Sequence, residues 1–380
     1  MPIVKDTQGN ISSPENYRGI TISPLLSKLL EHVLVIMFAE YLQTSSSQFG
    51  FKRKASTTQA LFCLRETVDH YTSKGGNVFV AFLDASKAFD RIIHEGLFLK
   101  LLKRNIPLLF INLIIFWYSD LQCQVKWEHV FSSWFSVPVG VRQGGVLSPI
   151  FYAIYVDCLI YELKHCNIGC YISDVFLSCI LYADDMALIA PSVRALQKLL
   201  DICSSFCFEW DIKLNPKKSK LMFFGKKVDF VAPIFLNGSA LNFENTWSYL
   251  GVCVSSGPRF SCSVTEKLKG YYRSLNSILR VGNCKENVQF RLADSHCLPI
   301  LTYGIEVLSV SDNDEKRQLR VAYNSMFRRI FHIRPFDSVT ELQSLLKCDI
   351  WEQLVEKRKS RFMVSMKGSE NEVLRALIRV

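Results

Sequence analysis

Three aspartates stand where carboxylates are costly. Asp184 and Asp185 interrupt the apolar run "ILYADDMALIA" (180–190), and Asp84 ends another, "NVFVAFLD" (77–84). An unpaired carboxylate in such a run is unfavourable, so the pair either occupies an exposed turn or holds a cation. Carboxylates converging from separate elements can hold two divalent ions about 4 Å apart, the arrangement that serves phosphoryl transfer. Taken singly, Asp184 and Asp185 read as an acidic turn and Asp84 as a strand-end cap. Asp84 precedes Asp184 by 100 positions, so convergence requires a sheet that sets the two segments side by side.

Further groups could serve such chemistry. "GVRQGGVLSP" (140–149) places Gln143, Gly144 and Gly145 directly before a helix start. Glycines let backbone approach a flat ligand, Gln143 can hydrogen-bond it, and a helix N-terminus favours anions. "LNPKKSKLMFF" (214–224) supplies Lys218, a candidate proton donor to a leaving group, though alone it reads as a solvated loop lysine.

The elements that must position these residues are legible from periodicity. Residues 23–42 carry apolar side chains at helical spacing, and 75–84 read as a buried strand opening on turn glycines. "QCQVKWEHV" (122–130) alternates like a half-buried strand, with "SSWFSVPVGV" as its hairpin partner. "LSPIFYAIYVDCLIYEL" (147–163) opens on Ser-Pro, a cap and first-turn pair. Strands "VFLSCIL" and "MALIA" flank the Asp pair, and a helix follows Pro191 to about Trp210. "SKLMFFG" and "WSYLGVCV" read as further strands. After a boundary near 255–262 the pattern becomes helical and rich in Lys and Arg.

Composition sets bounds on function. The 380 residues are 49% hydrophobic and 21% charged, as a core-rich folded chain is. Forty-five basic against 35 acidic side chains leave a formal charge of +10, which suits a polyanionic partner without specifying one. The thirteen cysteines include no Cys-x-x-Cys pair, so no zinc site is expected. The longest apolar stretch, 106–118, is too short for a bilayer; a soluble protein without membrane association is expected. No signal peptide precedes "MPIVKDTQGN", and an intracellular location, in nucleus or cytoplasm, is the expectation. Basic runs occur at 213–220, 225–227, 316–320, 327–334 and 356–362, the last two with interleaved aromatics. They suit a grip on phosphates or, equally, a solvated helix face.

In order, these stretches resemble the reverse transcriptase domain of non-LTR (LINE-type) retrotransposons, near the jockey-like branch. "ENYRGITISPLLSKLLEHVL" and "SQFGFKRKASTTQAL" are similar to its fingers motifs, and "FLDASKAFDRIIHEGLFLKL" to palm motif A. "GVRQGGVLSPIFYAIYVD" is similar to motif B, "LYADDMALIA" to motif C, "WDIKLNPKKSKLMFF" to motif D and "WSYLGVCV" to motif E. The resemblance runs from about residue 2 to 255 and only loosely beyond.

It implies an α/β (α+β) right-hand polymerase. Fingers are expected at 1–75, a palm with inserted fingers elements at 76–255, and a helical thumb-like region at 256–380. Carried over residue by residue, Asp84, Asp184 and Asp185 would hold two Mg2+ ions (Mn2+ as the alternative), and Lys218 would act as general acid. Arg18, Lys52 and Arg53 would meet the incoming triphosphate, and Gln143, Gly144 and Gly145 would support its base and sugar. Phe89 would lie beneath the sugar and exclude a 2′-hydroxyl, favouring dNTPs. Tyr249, Leu250 and Gly251 would brace the primer end. The implied partners are an RNA template and a DNA primer. Gly19 and Arg142 stand where the family usually has proline, and both changes spare the metal ligands. The motifs open inside the fingers and include no endonuclease, so the resemblance implies a fragment of an element. The competing expectation is a catalytically silent or co-opted remnant that binds nucleic acid.

Overall fold

A computed structural model describes residues 1–226, 232–281, 284–308 and 313–378. Lys227, the last residue of the basic stretch at 225–227, lies outside them.

The strand Val78–Ser86 is the spine of the molecule. It pairs antiparallel with Asp185–Ala190 on one edge, and that strand pairs with Cys179–Tyr182. The other edge is shared by two short strands, Lys213–Leu214 opposite its end and Lys220–Phe224 opposite its beginning. Residues 78 to 83 are buried throughout, so alternation is lost from the sequence but not from the packing. Val78, Val80 and Phe82 face one core, while Phe79, Ala81 and Leu83 face another, as the period of two requires.

The second core is covered by the helices His94–Lys103, Ser148–His165 and Val193–Glu209. Ser192 caps the last of these, its side chain accepting from the Ala195 N–H. The first core is covered by Thr57–Ser73, which opens on a capping box of Ser56 and Gln59. C-terminal helices close the same core: Tyr271, Leu275, Tyr323 and Phe327 belong to the cluster that contains Phe82 and Tyr249. The compositional boundary near 255–262 is therefore no break in packing. Phe362 meets Phe62 with ring centroids 5.7 Å apart, and Asn371 Nδ2 donates to the Ser46 carbonyl at 2.8 Å. The end of the described chain thus returns to the N-terminal part.

Several local expectations change. The hairpin at 122–136 forms, but as two short ladders, Gln122–Cys123 with Phe135–Ser136 and Lys126–Trp127 with Val130–Phe131. Its tip is exposed rather than half-buried. Ser148 lies inside its helix, whose N-cap is Leu147 with no side-chain cap of its own. The helix Leu25–Met37 presents Leu25, Leu26 and Leu29 to solvent and buries Glu31, inverting the usual amphipathic reading. Cys170, Cys179 and Cys207 pack as small apolar residues, burial pushing each thiol up to about 12. No described helix is long and apolar enough to cross a membrane.

Candidate active site

The sheet register brings the acidic residues together. Asp185 stands directly opposite Asp84; residues so paired have Cα atoms about 4.5–5.5 Å apart and side chains on one face. Tyr182 pairs with Asp185, leaving Ala183 and Asp184 as a two-residue hairpin turn. Ala183 takes φ 58°, the left-handed conformation such turns demand and non-glycine residues rarely adopt.

Crowding shows in the protonation of the pair. Burial, then the charges of Asp184 and Asp84, lift the Asp185 carboxyl to about 6. Asp184 is also raised, first by burial and then by Asp84, with the Arg18 guanidinium acting the other way. A carboxyl raised on folding leaves stability intact below its unfolded value and removes it as pH rises through the folded one. Asp185→Asn should therefore melt above the parent at pH 7.5, by about 1 kcal/mol once solvent screening is allowed for. Thermal melts should show this gap opening between about pH 4 and pH 6. A gap independent of pH would contradict the repulsion.

The hairpin is clamped from behind. Phe49 N–H donates to the Leu181 carbonyl at 2.8 Å, and Leu181 N–H to the Ser47 carbonyl at 2.9 Å. A Cβ built on Gly50 would lie 2.2 Å from the Ala183 nitrogen, so only glycine fits against the turn that carries Asp184. Gly50→Ala is expected to displace that turn. Overpacking of this kind costs about 1–3 kcal/mol, and a displacement near 1 Å lowers turnover on the order of a hundredfold. Melting would check the first and, under the polymerase expectation, single-nucleotide incorporation the second. Full activity in a stable variant would show the contact to be soft.

The 215–219 loop holds Asp84 and presents Lys218. Asn215 N–H donates to the Asp84 carbonyl at 2.9 Å, and Asp84 N–H donates to Ser219 Oγ at 3.3 Å. Lys218 Nζ then stands 4.0 Å from Asp84 Oδ2, largely exposed. Tyr249 lines the same small cavity as Asp84, Asp185 and Lys218. Its ring packs on Phe82 at 4.7 Å, and its buried hydroxyl has no hydrogen-bond partner among the described residues. Leu250 and Gly251 form the hairpin turn between Thr246–Tyr249 and Val252–Ser255, with φ 46° and 75°. Tyr303 fixes it by donating to the Leu250 carbonyl at 2.8 Å.

The glycine-rich loop lies on another side of the carboxylates. Gln143 Nε2 donates to Asp90 Oδ1 at 2.6 Å, and Thr21 N–H donates to the Gln143 carbonyl at 2.7 Å. A Cβ on Gly144 (φ 114°) would meet the Thr21 carbonyl oxygen at 2.8 Å, which explains the glycine. Gly145 lies over Ser148 and Glu31. Glu31, fully buried, accepts from Arg142 Nη2 at 2.5 Å, from Leu147 N–H at 2.9 Å and from Val146 N–H. This distant carboxylate caps the helix that Ser148 opens and complements its positive end. Arg142, a departure in the motif, is thus the partner of a buried charge, stacked 4.6 Å over Trp117.

Phe89 stacks on Tyr152 with centroids 5.0 Å apart and meets Phe51 edge-on at 5.9 Å. Not every candidate joins this group. Lys52 Nζ donates to the carbonyls of Thr44 at 2.8 Å and Ser45 at 3.1 Å, and burial lowers its pKa. Lys52 and Arg53 line a separate cavity of about 1040 Å3 with Leu42 and Asn371. The structure does not gather them with the carboxylates. Glu31, Gly50 and Asp90 also position the site through partners the sequence does not reveal; a charge within the apolar run 23–42 is the one available signal.

Whether the residues suit a metal is a matter of donor chemistry. Three hard oxygen donors on adjoining strands and their turn match Mg2+, which binds through one or two carboxylates plus water and substrate phosphates. Among the described residues, no three ligating side chains stand close enough to hold an ion by themselves.

Residues 4–254 match the family model described as reverse transcriptase (RNA-dependent DNA polymerase). A probable RNA-directed DNA polymerase from transposon BS of Drosophila melanogaster is 25% identical over 383 residues, covering 96% of this chain and 42% of that protein. The RNA-directed DNA polymerase from mobile element jockey of Drosophila funebris is 26% identical over 332 residues, covering 83% and 36%. The chain spans less than half the length of these curated relatives. Apo telomerase from Candida tropicalis aligns with 92% of this chain and 55% of its own, at 13% identity and a TM-score of 0.46.

Proposed function

The chain belongs to the reverse transcriptase family, and from that premise we propose that it copies RNA into DNA for a non-LTR retrotransposon, adding dNTPs to a primer. The observation that carries this reading is the register setting Asp185 against Asp84, with Asp184 on the adjoining turn. We assign fingers to 1–75, palm to 76–255 and a thumb-like region to 256–380. Reverse transcriptases as a family depend on divalent metal. Two Mg2+ ions, or Mn2+, held by Asp84, Asp184 and Asp185 would ease deprotonation of the primer hydroxyl and offset charge on the phosphates.

The chain's own residues do the rest. Arg18, whose charge reaches Asp184, meets the incoming triphosphate. Gln143, oriented by Asp90, supports the base. Lys218 holds a proton beside the departing pyrophosphate. Leu250 and Gly251, pinned by Tyr303, brace the primer end.

Phe89, held between Tyr152 and Phe51, is the floor on which a 2′-hydroxyl would collide. Phe89→Val should raise the use of ribonucleotides relative to dNTPs by about tenfold, the scale of a steric contact in a pocket. Competition between rUTP and dTTP would measure it, and an unchanged ratio would remove Phe89 from sugar selection.

The direct test is extension of oligo(dT) on poly(rA) with dTTP and Mg2+. Incorporation establishes the polymerase. Its absence from a folded, template-bound protein would instead establish the binding remnant.

A further inference from the structure

Beyond the nucleotide site the surface carries a second, aromatic feature. A cleft of about 1270 Å3 opens between the N-terminal segment around Tyr17 and the hairpin at 122–136, and Asp90 and Gln143 line it too. Trp127, Phe131, Trp134 and Phe135 line it while being 48%, 57%, 64% and 46% exposed. A contiguous exposed group of large rings marks an interaction site. The volume exceeds the roughly 300–1,000 Å3 of a pocket for a small molecule.

The wall is built rather than frayed. Tyr17 meets Trp127 edge-on with ring centroids 5.0 Å apart, which ties the two sides of the cleft together. Ser132 N–H donates to the Val125 carbonyl and Val125 N–H to Ser132 Oγ, both at 3.0 Å, closing the base of the tip. Lys126 Nζ lies 5.6 Å from the Phe131 ring centroid, so a cation accompanies the rings.

We propose that this cleft holds the unpaired RNA template ahead of the copied position, its bases stacked on Trp127 and Trp134. The inference rests on the polymerase reading for the identity of the strand. Three observations select this occupant. The cleft is continuous with the nucleotide site through Gln143 and Asp90. The cavity at Tyr249, where the primer end is assigned, shares no residue with it; paired template occupies that side and uncopied template must arrive by another. Exposed rings with an adjacent cation are what sequence-independent single-strand binding uses, since every base has a face to stack.

The test measures binding of the full chain to labelled RNA-template/DNA-primer duplexes by fluorescence anisotropy. Template overhangs of one nucleotide and of about eight are compared, the longer being within the site sizes of single-strand grooves. The parent should bind the long overhang at least about fivefold more tightly, as stacking of one base would give. The Trp127→Ala/Trp134→Ala variant should lose that preference, and Trp127→Phe/Trp134→Phe should keep it, which separates stacking from misfolding. No preference in the parent, or a preference that survives alanine, overturns the assignment and leaves the cleft to another occupant, such as a protein. Incorporation of dTTP on the same duplexes is read in parallel. Tryptophan-dependent preference without incorporation would sustain the cleft assignment and refute the polymerase reading alone.

Discussion

Asp184→Asn is expected to cut dNTP incorporation by at least about a thousandfold while leaving the fold intact. The proposed metal position supplies several kcal/mol of charge stabilisation in the transition state, and about 4 kcal/mol corresponds to that factor. Asparagine keeps the size of the side chain on the Ala183–Asp184 turn but removes the charge. The same change relieves repulsion with Asp84, which helps hold the Asp184 carboxyl above its ordinary value. The variant should therefore melt no lower than the parent at neutral pH. Paired melting and single-turnover incorporation would show it. A stable variant that retained activity within tenfold would remove Asp184 from the chemistry.

Glu31→Ala is expected to have the largest effect on stability. It leaves Arg142 without its buried partner and deprives the Val146 and Leu147 N–H groups of their acceptor. Breaking a buried ion pair from one side costs about 3–5 kcal/mol. The loop it anchors carries Gln143, so incorporation should fall as well, through a positioning role rather than contact with substrate. Urea melts of Glu31→Ala, Arg142→Met and the double variant would isolate the coupling. The double variant should recover much of the loss, because no buried charge is then left alone. Additive losses would mean that the two side chains act independently.

The family was legible because its motifs are short contiguous strings. "YADD" between two apolar runs already describes a hairpin turn carrying carboxylates. The α+β order of elements was legible for a similar reason: periodicity is local, and the strand Val78–Ser86 and helix Val193–Glu209 fall where it places them.

What the sequence by itself could not determine depends on contacts between distant segments. Glu31 lies within the apolar run 23–42 and Arg142 is a motif departure; 111 positions separate them, and only the fold buries them together. Lys100 lies in the motif A string, where no neighbouring residue foretells its surroundings. It is buried, with Nζ 3.7 Å from the Trp210 ring centroid and donating to the Tyr155 carbonyl at 2.7 Å, and burial lowers its pKa to about 8. Lys52 and Arg53 matched a phosphate-binding motif, yet they line a cavity apart from the carboxylates. In each case residue type gives the chemistry a side chain can perform, and the surroundings decide whether its charge is solvated, paired or enclosed. Those surroundings are assembled by tertiary packing, and no local pattern encodes them.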